Sequence, residues 1–286
     1  MADQYLDDLR LAHLLADNAD SIASDRFRAL DLTTALKPDN TVVSDADQAI
    51  EESIRRSLAT ARPRDAVHGE ELTDSGWGPR RWVIDPIDGT ANYIRGVPVW
   101  ASLIALMVED QPVVSVVSAP ALARRWWAHR GGGAFTGRTI LTGRPIHASS
   151  VTRIADGFLS YSSLGGWVES GRGRQFGQLL RTAARTRAFG DFWSYMLVAE
   201  GAVDMAAEPE LALHDMAALV PIVTEAGGRF SSLDGKPGPW GPGAVATNGH
   251  LHPAVLKVLA FDDDEEDSLI IPRHSMELNP SHRPSH

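Results

Sequence analysis

The 286-residue chain predicts a layered protein of mixed α-helices and β-strands, of the α/β class. Three observations carry that expectation. Two opening segments repeat apolar residues at helical spacing, the middle is a series of short aliphatic and β-branched runs between glycines and prolines, and the second half alternates strand-like with helical segments. With 43% hydrophobic and 22% charged residues, the chain is long enough and apolar enough to bury a sizeable core.

The elements follow in order. Residues 4–24 predict a helix with Leu11, Leu14, Leu15, Ala19 and Ile22 on its inner face. Lys37-Pro38-Asp39-Asn40 marks a turn, and Ala46, Ile50, Ile54 and Leu58 then set out a second helix that stops near Arg62-Pro63. RWVIDPIDGT (81–90) reads as a short strand breaking off at Asp85-Pro86, and 100–110 and 112–120 as further strands. Residues 124–135 read as a strand and a glycine turn. The loop-rich stretch 136–150 separates an N-terminal half (1–140) from a C-terminal half (141–261). In that second half, 157–164 is strand-like, 172–190 contains a helix, and 193–208 is a helix running into a strand. Residues 212–228 read as one helix closed by Gly227-Gly228, with Pro221 expected to remove a hydrogen bond and kink it.

Charge and composition exclude several classes. Lys and Arg number 27 against 37 Asp and Glu, a net of −10 that argues against nucleic-acid or anionic-lipid partners. Residues 262–286 hold seven acids against two arginines and show no period, so an acidic, disordered tail is expected. Its His274, His282 and His286 lack a frame that would present them to a metal together. The absence of cysteine excludes disulfides, thiolate zinc sites and a cysteine nucleophile. The opening residues are too acidic for a signal peptide and no apolar run reaches membrane-spanning length, so a cytoplasmic protein without a membrane partner is expected.

The chemistry concentrates in carboxylates: Asp47 at the start of the second helix, Glu70 and Glu71 in HGEEL, Asp85 and Asp88 in WVIDPIDGT, and Asp215 in HDMAAL. A strand that delivers two carboxylates three residues apart, with proline between them, is expected to expose both at its end. Gly89 and Thr90 follow where a helix can begin, and amides exposed at such a start favour a phosphate. Hard oxygen donors of this kind suit Mg²⁺. Asp85 alone is better read as a turn or cap residue; combined with Glu70 and Asp215, the string is not explained by turn chemistry.

GEE, WVIDPIDGTANY and HDMAALVPIVTEAGG resemble the three signatures of the inositol monophosphatase family of Mg²⁺-dependent, lithium-sensitive phosphatases, over about residues 5–260. The resemblance implies an αβαβα sandwich of the type shared with fructose-1,6-bisphosphatases, a homodimer, a small phosphorylated substrate and two to three Mg²⁺ ions per site. It implies that Glu70, Asp85 and the Ile87 carbonyl bind a first ion, that Asp85, Asp88 and Asp215 bind a second, and that Glu70 helps hold a third. Asp47 and Thr90 would orient and deprotonate the attacking water, and the Gly89 and Thr90 amides would hold the phosphate. Attack would be in line, without a phospho-enzyme. The Asp-x-x-Asp spacing also differs from the Asp-x-Asp of phosphatases with a nucleophilic aspartate. His214 stands where the family usually has tryptophan, and reads as a substituted packing residue.

The leaving-group end carries its own signal. Where the family usually places a small or hydroxyl residue, this chain has Asp191, and Glu208 occupies the position of a substrate-contacting glutamate seven residues before Asp215. Two acids suit a cationic amino alcohol. IRGVPVWASLIAL, SAPALARRWWA, YSSLGGW and FGDFWSY further resemble the actinobacterial members of the family that hydrolyse histidinol phosphate. L-histidinol phosphate is therefore the expected substrate, with inositol 1-phosphate or a broad set of small phosphate esters as the alternative. Asp191 also reads as an N-cap of a helix over 192–200, and Arg187 as its partner or a substrate contact. Trp100, Trp193 and Tyr195 read as packing residues.

Overall fold

A computed structural model describes residues 2–37 and 41–260. The expected acidic tail, its histidines and most of the turn at 37–40 lie outside the described residues.

Helix α1 (Leu6–Arg26) opens the chain and buries Leu9, Ala12, Leu15, Ala16, Ala19 and Ala23. Of the expected inner face, Leu15 and Ala19 are buried and Leu11 and Ile22 pack partly buried against the core; Leu14 alone, 61% exposed, is turned out, and small alanines let the helix lie close to the sheet. A hairpin follows, β1 (Thr34–Leu36) against β2 (Val42–Ser44), closed by Lys37 N–H donating to the Thr41 carbonyl at 2.8 Å. Helix α2 (Asp45–Ala61) buries the expected Ala46, Ile50, Ile54 and Leu58.

Strands β3 (Ala66–Gly69) and β4 (Arg80–Asp88) pair in parallel. The short helix α3 (Thr90–Ile94) is followed by β5 (Ala101–Val108), β6 (Gln111–Ala119), β7 (Arg124–His129), β8 (Gly133–Gly137) and β9 (Arg144–Pro145), which extend an antiparallel meander in sequence order. Both faces of this seven-stranded sheet are covered, which is why its central strands read as unbroken apolar runs. Trp82, Ile84, Ile104 and Leu106 face α1 and α2, while Val83, Leu103, Ala105 and Val117 face the opposite layer.

The second sheet draws on β10 (Phe158–Ser160), β11 (Arg185–Arg187), β12 (Met205–Glu208), β13 (Arg229–Ser231) and β14 (Ala244–Thr247), in the order β11-β10-β12-β14-β13. Helices α4 (Leu164–Glu169) and α5 (Gly173–Thr182) separate β10 from β11, and α6 (Asp191–Ala199) leads to β12. Helices α7 (Leu213–Ala217) and α8 (Leu219–Glu225) precede β13, and α9 (His252–Leu259) closes the described chain. Helices α6 and α8 pack between the two sheets, whereas α4, α5 and α9 cover the outer face of the second around Leu159, Met205, Ala207 and Val245. The layers are thus αβαβα.

One expected helix is two. The segment 212–228 breaks at Ala218, so Pro221 falls in the first turn of α8 and not in mid-helix. First-turn amides need no intrahelical acceptor, and the proline there costs no hydrogen bond.

Candidate active site

The strand β4 does not stop at Asp85-Pro86. It continues to Asp88, with Asp85 opposite Leu103 and Asp88 opposite Ala101, so three steps on β4 match two on β5. Proline has no N–H to give the ladder, and the extra residue forms a bulge; Ser102 Oγ donates to the Pro86 carbonyl at 2.6 Å. The bulge decides the chemistry. Residues three apart on a regular strand point to opposite faces, but one inserted residue returns Asp88 to the face of Asp85. Asp85 is also not exposed as expected: it is 1% accessible, because β5 and the following layer cover the strand end.

Parallel pairing of Gly69 with Ile84 brings the Glu70-Glu71 turn beside Asp85, with Glu70 N–H on the Ile84 carbonyl at 3.2 Å. This turn is held from below by Glu51, a fully buried carboxylate. Glu51 Oε2 accepts Glu71 N–H at 2.8 Å, and Oε1 accepts Arg55 Nε at 2.8 Å. Gly69 leaves the room for it, since a Cβ there would lie 1.9 Å from Glu51 Oε1. Lys37 reaches across from the hairpin, its ammonium 2.7 Å from both Glu70 Oε1 and Glu71 Oε1.

Asp215 comes from the first turn of α7, where its Oδ2 accepts Ala212 N–H at 2.6 Å. Oxygens of Asp85, Asp88 and Asp215 lie within 4.8 Å of one another. Asp47 sits in the first turn of α2, where the Ser44 amide and hydroxyl both donate to its Oδ2, at 2.9 and 2.6 Å. Its Oδ1 faces Thr90 Oγ1 at 3.3 Å. The single Thr90 proton has a second acceptor in the Ile87 carbonyl at 2.9 Å. Gly89 precedes α3 with φ of +86°, a conformation that glycine adopts without strain.

The second half contributes Asp191 and Glu208. Asp191 is the first residue of α6 and not its N-cap, which is Gly190. Asn92 Nδ2 donates to Asp191 Oδ2 at 3.0 Å, Asp191 N–H donates to Ser162 Oγ at 2.9 Å, and Ser162 Oγ donates to Glu208 Oε1 at 2.6 Å. Arg187 does not join this group. It is exposed, and its guanidinium turns back to the Thr186 carbonyl at 2.8 Å. His214 stacks on His68 with centroids 6.3 Å apart, and its Nε2 is 3.6 Å from Asp215 Oδ1, so it touches the cluster besides packing. Trp100 and Tyr195 are buried, as packing residues should be; Trp193 is half-buried against Phe189.

So many carboxylates in one buried space resist ionising together. Burial pushes Asp85 well above its ordinary range, and Glu70, Asp88, Asp215 and Asp47 push it further. Burial does the same to Asp88, with Asp191 and Asp215 adding to it. Asp215 is raised by burial against an opposing pull from His214. Asp47 is raised by burial to about 6 although the Ser44 hydrogen bonds resist. Asp191 is pushed by burial and Asp215 to about 6, and Glu208 by burial to about 8. For Lys37, burial pulls the ammonium down but its two glutamates outweigh it and raise it.

Such a cluster calls for added positive charge. Asp85 Oδ1 is buried without a hydrogen-bond partner, which is costly unless another group completes it. Converging carboxylate oxygens with an orphaned one among them fit a hard divalent cation such as Mg²⁺.

Ser44, Lys37, Glu51, Asn92 and Ser162 are the members that sequence reading passed over. Ser44 carried a signal, a Ser-x-x-Asp capping box ahead of a helical pattern. Ser162 lies in the YSSLGGW string, but nothing local marks its role, since its partners lie 29 and 46 positions away.

The layered fold and its carboxylate pocket define a class. The inositol monophosphatase family profile matches residues 7–262, and the chain belongs to that family of phosphatases. It is 61% identical over 259 residues to a histidinol-phosphatase of Streptomyces coelicolor, covering 89% of this chain and 97% of that one. It is 55% identical to a histidinol-phosphatase of Mycobacterium tuberculosis, over 87% of this chain and 96% of the other. Among solved structures, an inositol monophosphatase from Zymomonas mobilis aligns with a TM-score of 0.78 at 31% identity, over 90% of this chain and 98% of that one. No helix among the described residues is long and apolar enough to cross a membrane.

Proposed function

We propose that this chain hydrolyses L-histidinol phosphate to L-histidinol and phosphate in histidine biosynthesis, by in-line attack of water. The observation that carries the reading is the placement of Asp191 and Glu208, two tied acids, beside the Asp85, Asp88 and Asp215 cluster. Its strongest support from kinship is 61% identity to a histidinol-phosphatase across nearly the whole of that protein.

Glu70, Asp85, the Ile87 carbonyl, Asp88 and Asp215 would hold two to three Mg²⁺ ions. Bound Mg²⁺ supplies charge neutralisation for the phosphate dianion and lowers the pKa of water. Asp47, fixed through its Oδ2 by Ser44, turns Oδ1 to Thr90, and this pair accepts the proton of the attacking water. The Gly89 and Thr90 amides receive the phosphate. Asp191 and Glu208 face the cationic end of the alcohol, and Asn92 keeps the Asp191 carboxylate in place. As the family resemblance implies, the working assembly in this reading is a homodimer, acting in the cytoplasm. Arg187, with its side chain folded back on its own strand, has no part in this scheme.

The test is phosphate release from L-histidinol phosphate and inositol 1-phosphate side by side, with Mg²⁺ and with EDTA. An EDTA-sensitive preference for histidinol phosphate of about a hundredfold, equal to about 2.7 kcal/mol, is expected. Equal rates, or a preference for the inositol ester, would retain the phosphatase and discard the histidine-biosynthesis reading.

A further inference from the structure

Ser162 lies two residues beyond the end of β10, where the chain leaves the second sheet. Its single hydroxyl meets two chain segments at once, donating to Glu208 Oε1 at 2.6 Å and accepting Asp191 N–H at 2.9 Å. Glu208 ends β12 and is 5% exposed, and the hydrogen bonds that pull its carboxyl down against burial both come from Ser162, one from the hydroxyl and one from the backbone. Asp191 has φ of +48°, a left-handed backbone uncommon outside glycine, and such a conformation persists only where its surroundings impose it. Three bonds do so: Ser162 Oγ accepts the Asp191 amide, Asn92 Nδ2 donates to Asp191 Oδ2 at 3.0 Å, and the next amide, Phe192 N–H, donates to Asp88 Oδ2 at 2.6 Å.

Of these three anchors, Ser162 alone also touches Glu208. Asn92 connects Asp191 to the α3 segment and to the Val99 carbonyl, and Asp88 connects it to β4. We propose that Ser162 is a specificity-determining positioning residue, which through one oxygen sets the orientation of Asp191 and Glu208 as a pair toward the cationic end of the substrate. The inference rests on the histidinol phosphate reading and adds to it the group that makes two acids act as one receptor. A protonated amino alcohol needs both carboxylates aimed. A phosphate ester without a cation needs neither, because its phosphate is handled at β4 and α3.

Ser162→Ala and Ser162→Cys remove the strong donor, the second while keeping the side chain's bulk, and Ser162→Thr keeps the hydroxyl. KM and kcat are measured with Mg²⁺ on L-histidinol phosphate and on p-nitrophenyl phosphate. The Ala and Cys variants should raise KM for histidinol phosphate about tenfold or more, with kcat and the p-nitrophenyl phosphate constants within about threefold of the parent. Ser162→Thr should restore most of the loss. Equal losses on both esters, an unchanged KM, or a failure of threonine where alanine and cysteine fold would overturn the proposal. Asp191→Asn and Glu208→Gln measured alongside separate the two readings. If these are selective and the Ser162 variants are not, Ser162 is only structural. If neither acid variant is selective, the substrate reading itself falls, and Ser162 with it.

Discussion

Phe192 donates its backbone N–H to Asp88 Oδ2 at 2.6 Å, joining positions 104 residues apart. The bond ties the first turn of α6 to the bulged end of β4. It places an N-terminal helix amide, with its partial positive charge, on a carboxylate that burial and its acidic neighbours disfavour in the charged form. The helix that carries Asp191 is thereby indexed to the strand that carries Asp85 and Asp88, and the two halves of the chain meet at the site by a specific contact.

Asp85 is the most crowded carboxylate, so replacing it separates catalysis from stability. Asp85→Asn should lower activity at least about a hundredfold, as loss of a group supporting a metal commonly does. At pH 8 in EDTA the same variant should melt above the parent, by about 2–4 °C for each kcal/mol of relieved repulsion. Phosphate-release assays and calorimetry in parallel check both signs. An Asp85→Asn protein that melts below the parent in EDTA would contradict the repulsion argument.

The pH dependence of the metal-free protein follows from the raised carboxyls. Burial pushes Asp47 and Asp191 up to about 6, Glu71 up to about 7 and Glu208 up to about 8, each above its unfolded value. Burial holds the His13 and His252 imidazoles down at about 4 and so acts in the opposite sense below about pH 6.5. The raised carboxyls outnumber them, so between about pH 5 and 8 the folded state binds more protons than the unfolded state and stability falls as pH rises. Melting temperatures in EDTA should decline from pH 5 to pH 8. Saturating Mg²⁺ should flatten that decline, and at a hundred times its Kd should add about 2.7 kcal/mol.

Ser44 stands at the N-cap of α2, and its hydroxyl and amide together aim Asp47. Ser44→Ala should cost about 1 kcal/mol of stability and lower kcat about tenfold. The backbone Ser44 N–H to Asp47 Oδ2 bond survives the change, so activity should fall without vanishing. Urea unfolding and steady-state kinetics on one preparation provide the check; an unaltered kcat would remove Ser44 from the site.

Gly89 has both a left-handed backbone and close neighbours, with a Cβ there placed 2.9 Å from the Val99 carbonyl oxygen and 3.3 Å from Asp191 Oδ2. Gly89→Ala should destabilise by about 2 kcal/mol or more and shift Asp191 away from Asn92. A melting temperature lowered by about 4–8 °C, with a higher KM for histidinol phosphate, is the expected pair of results.

Much of this was legible in the chain. The helices around Ile50 and Leu179 and the apolar strands β5 and β6 followed from period and turn chemistry, the pairing of Asp85 with Asp88 from the strand-and-turn string, and the roles of Asp47, Glu70, Asp191, Glu208 and Asp215 from the family resemblance. Three features were not. The exposure of Leu14 on α1 depended on how closely Ala12, Ala16 and Ala23 approach the sheet, which a leucine outweighs in any count of hydrophobicity. The bulge at Pro86 needed β5 as a partner before its extra residue had meaning, and that residue brings Asp85 and Asp88 to one face. Ser162 and Asn92 act through contacts dozens of residues away, where no local pattern marks them. Arg187 shows the reverse error: its charge and sequence position suggested a contact with Asp191 that the fold gives to Asn92.

Gly69 supplies no ligating atom and has no side chain to offer chemistry, yet a saturation-mutagenesis screen for activity should score it beside the proposed catalytic acids. Any larger residue would displace Glu51, whose carboxylate meets the space a Cβ would fill and whose oxygens hold the amides of Glu71 and Leu72. Once that support moves, Glu70 is misplaced although its own codon is intact. Intolerance to substitution at this position would therefore report an occupied volume beneath the pocket, and a ranking of positions by lost growth would mistake a spacer for a reagent.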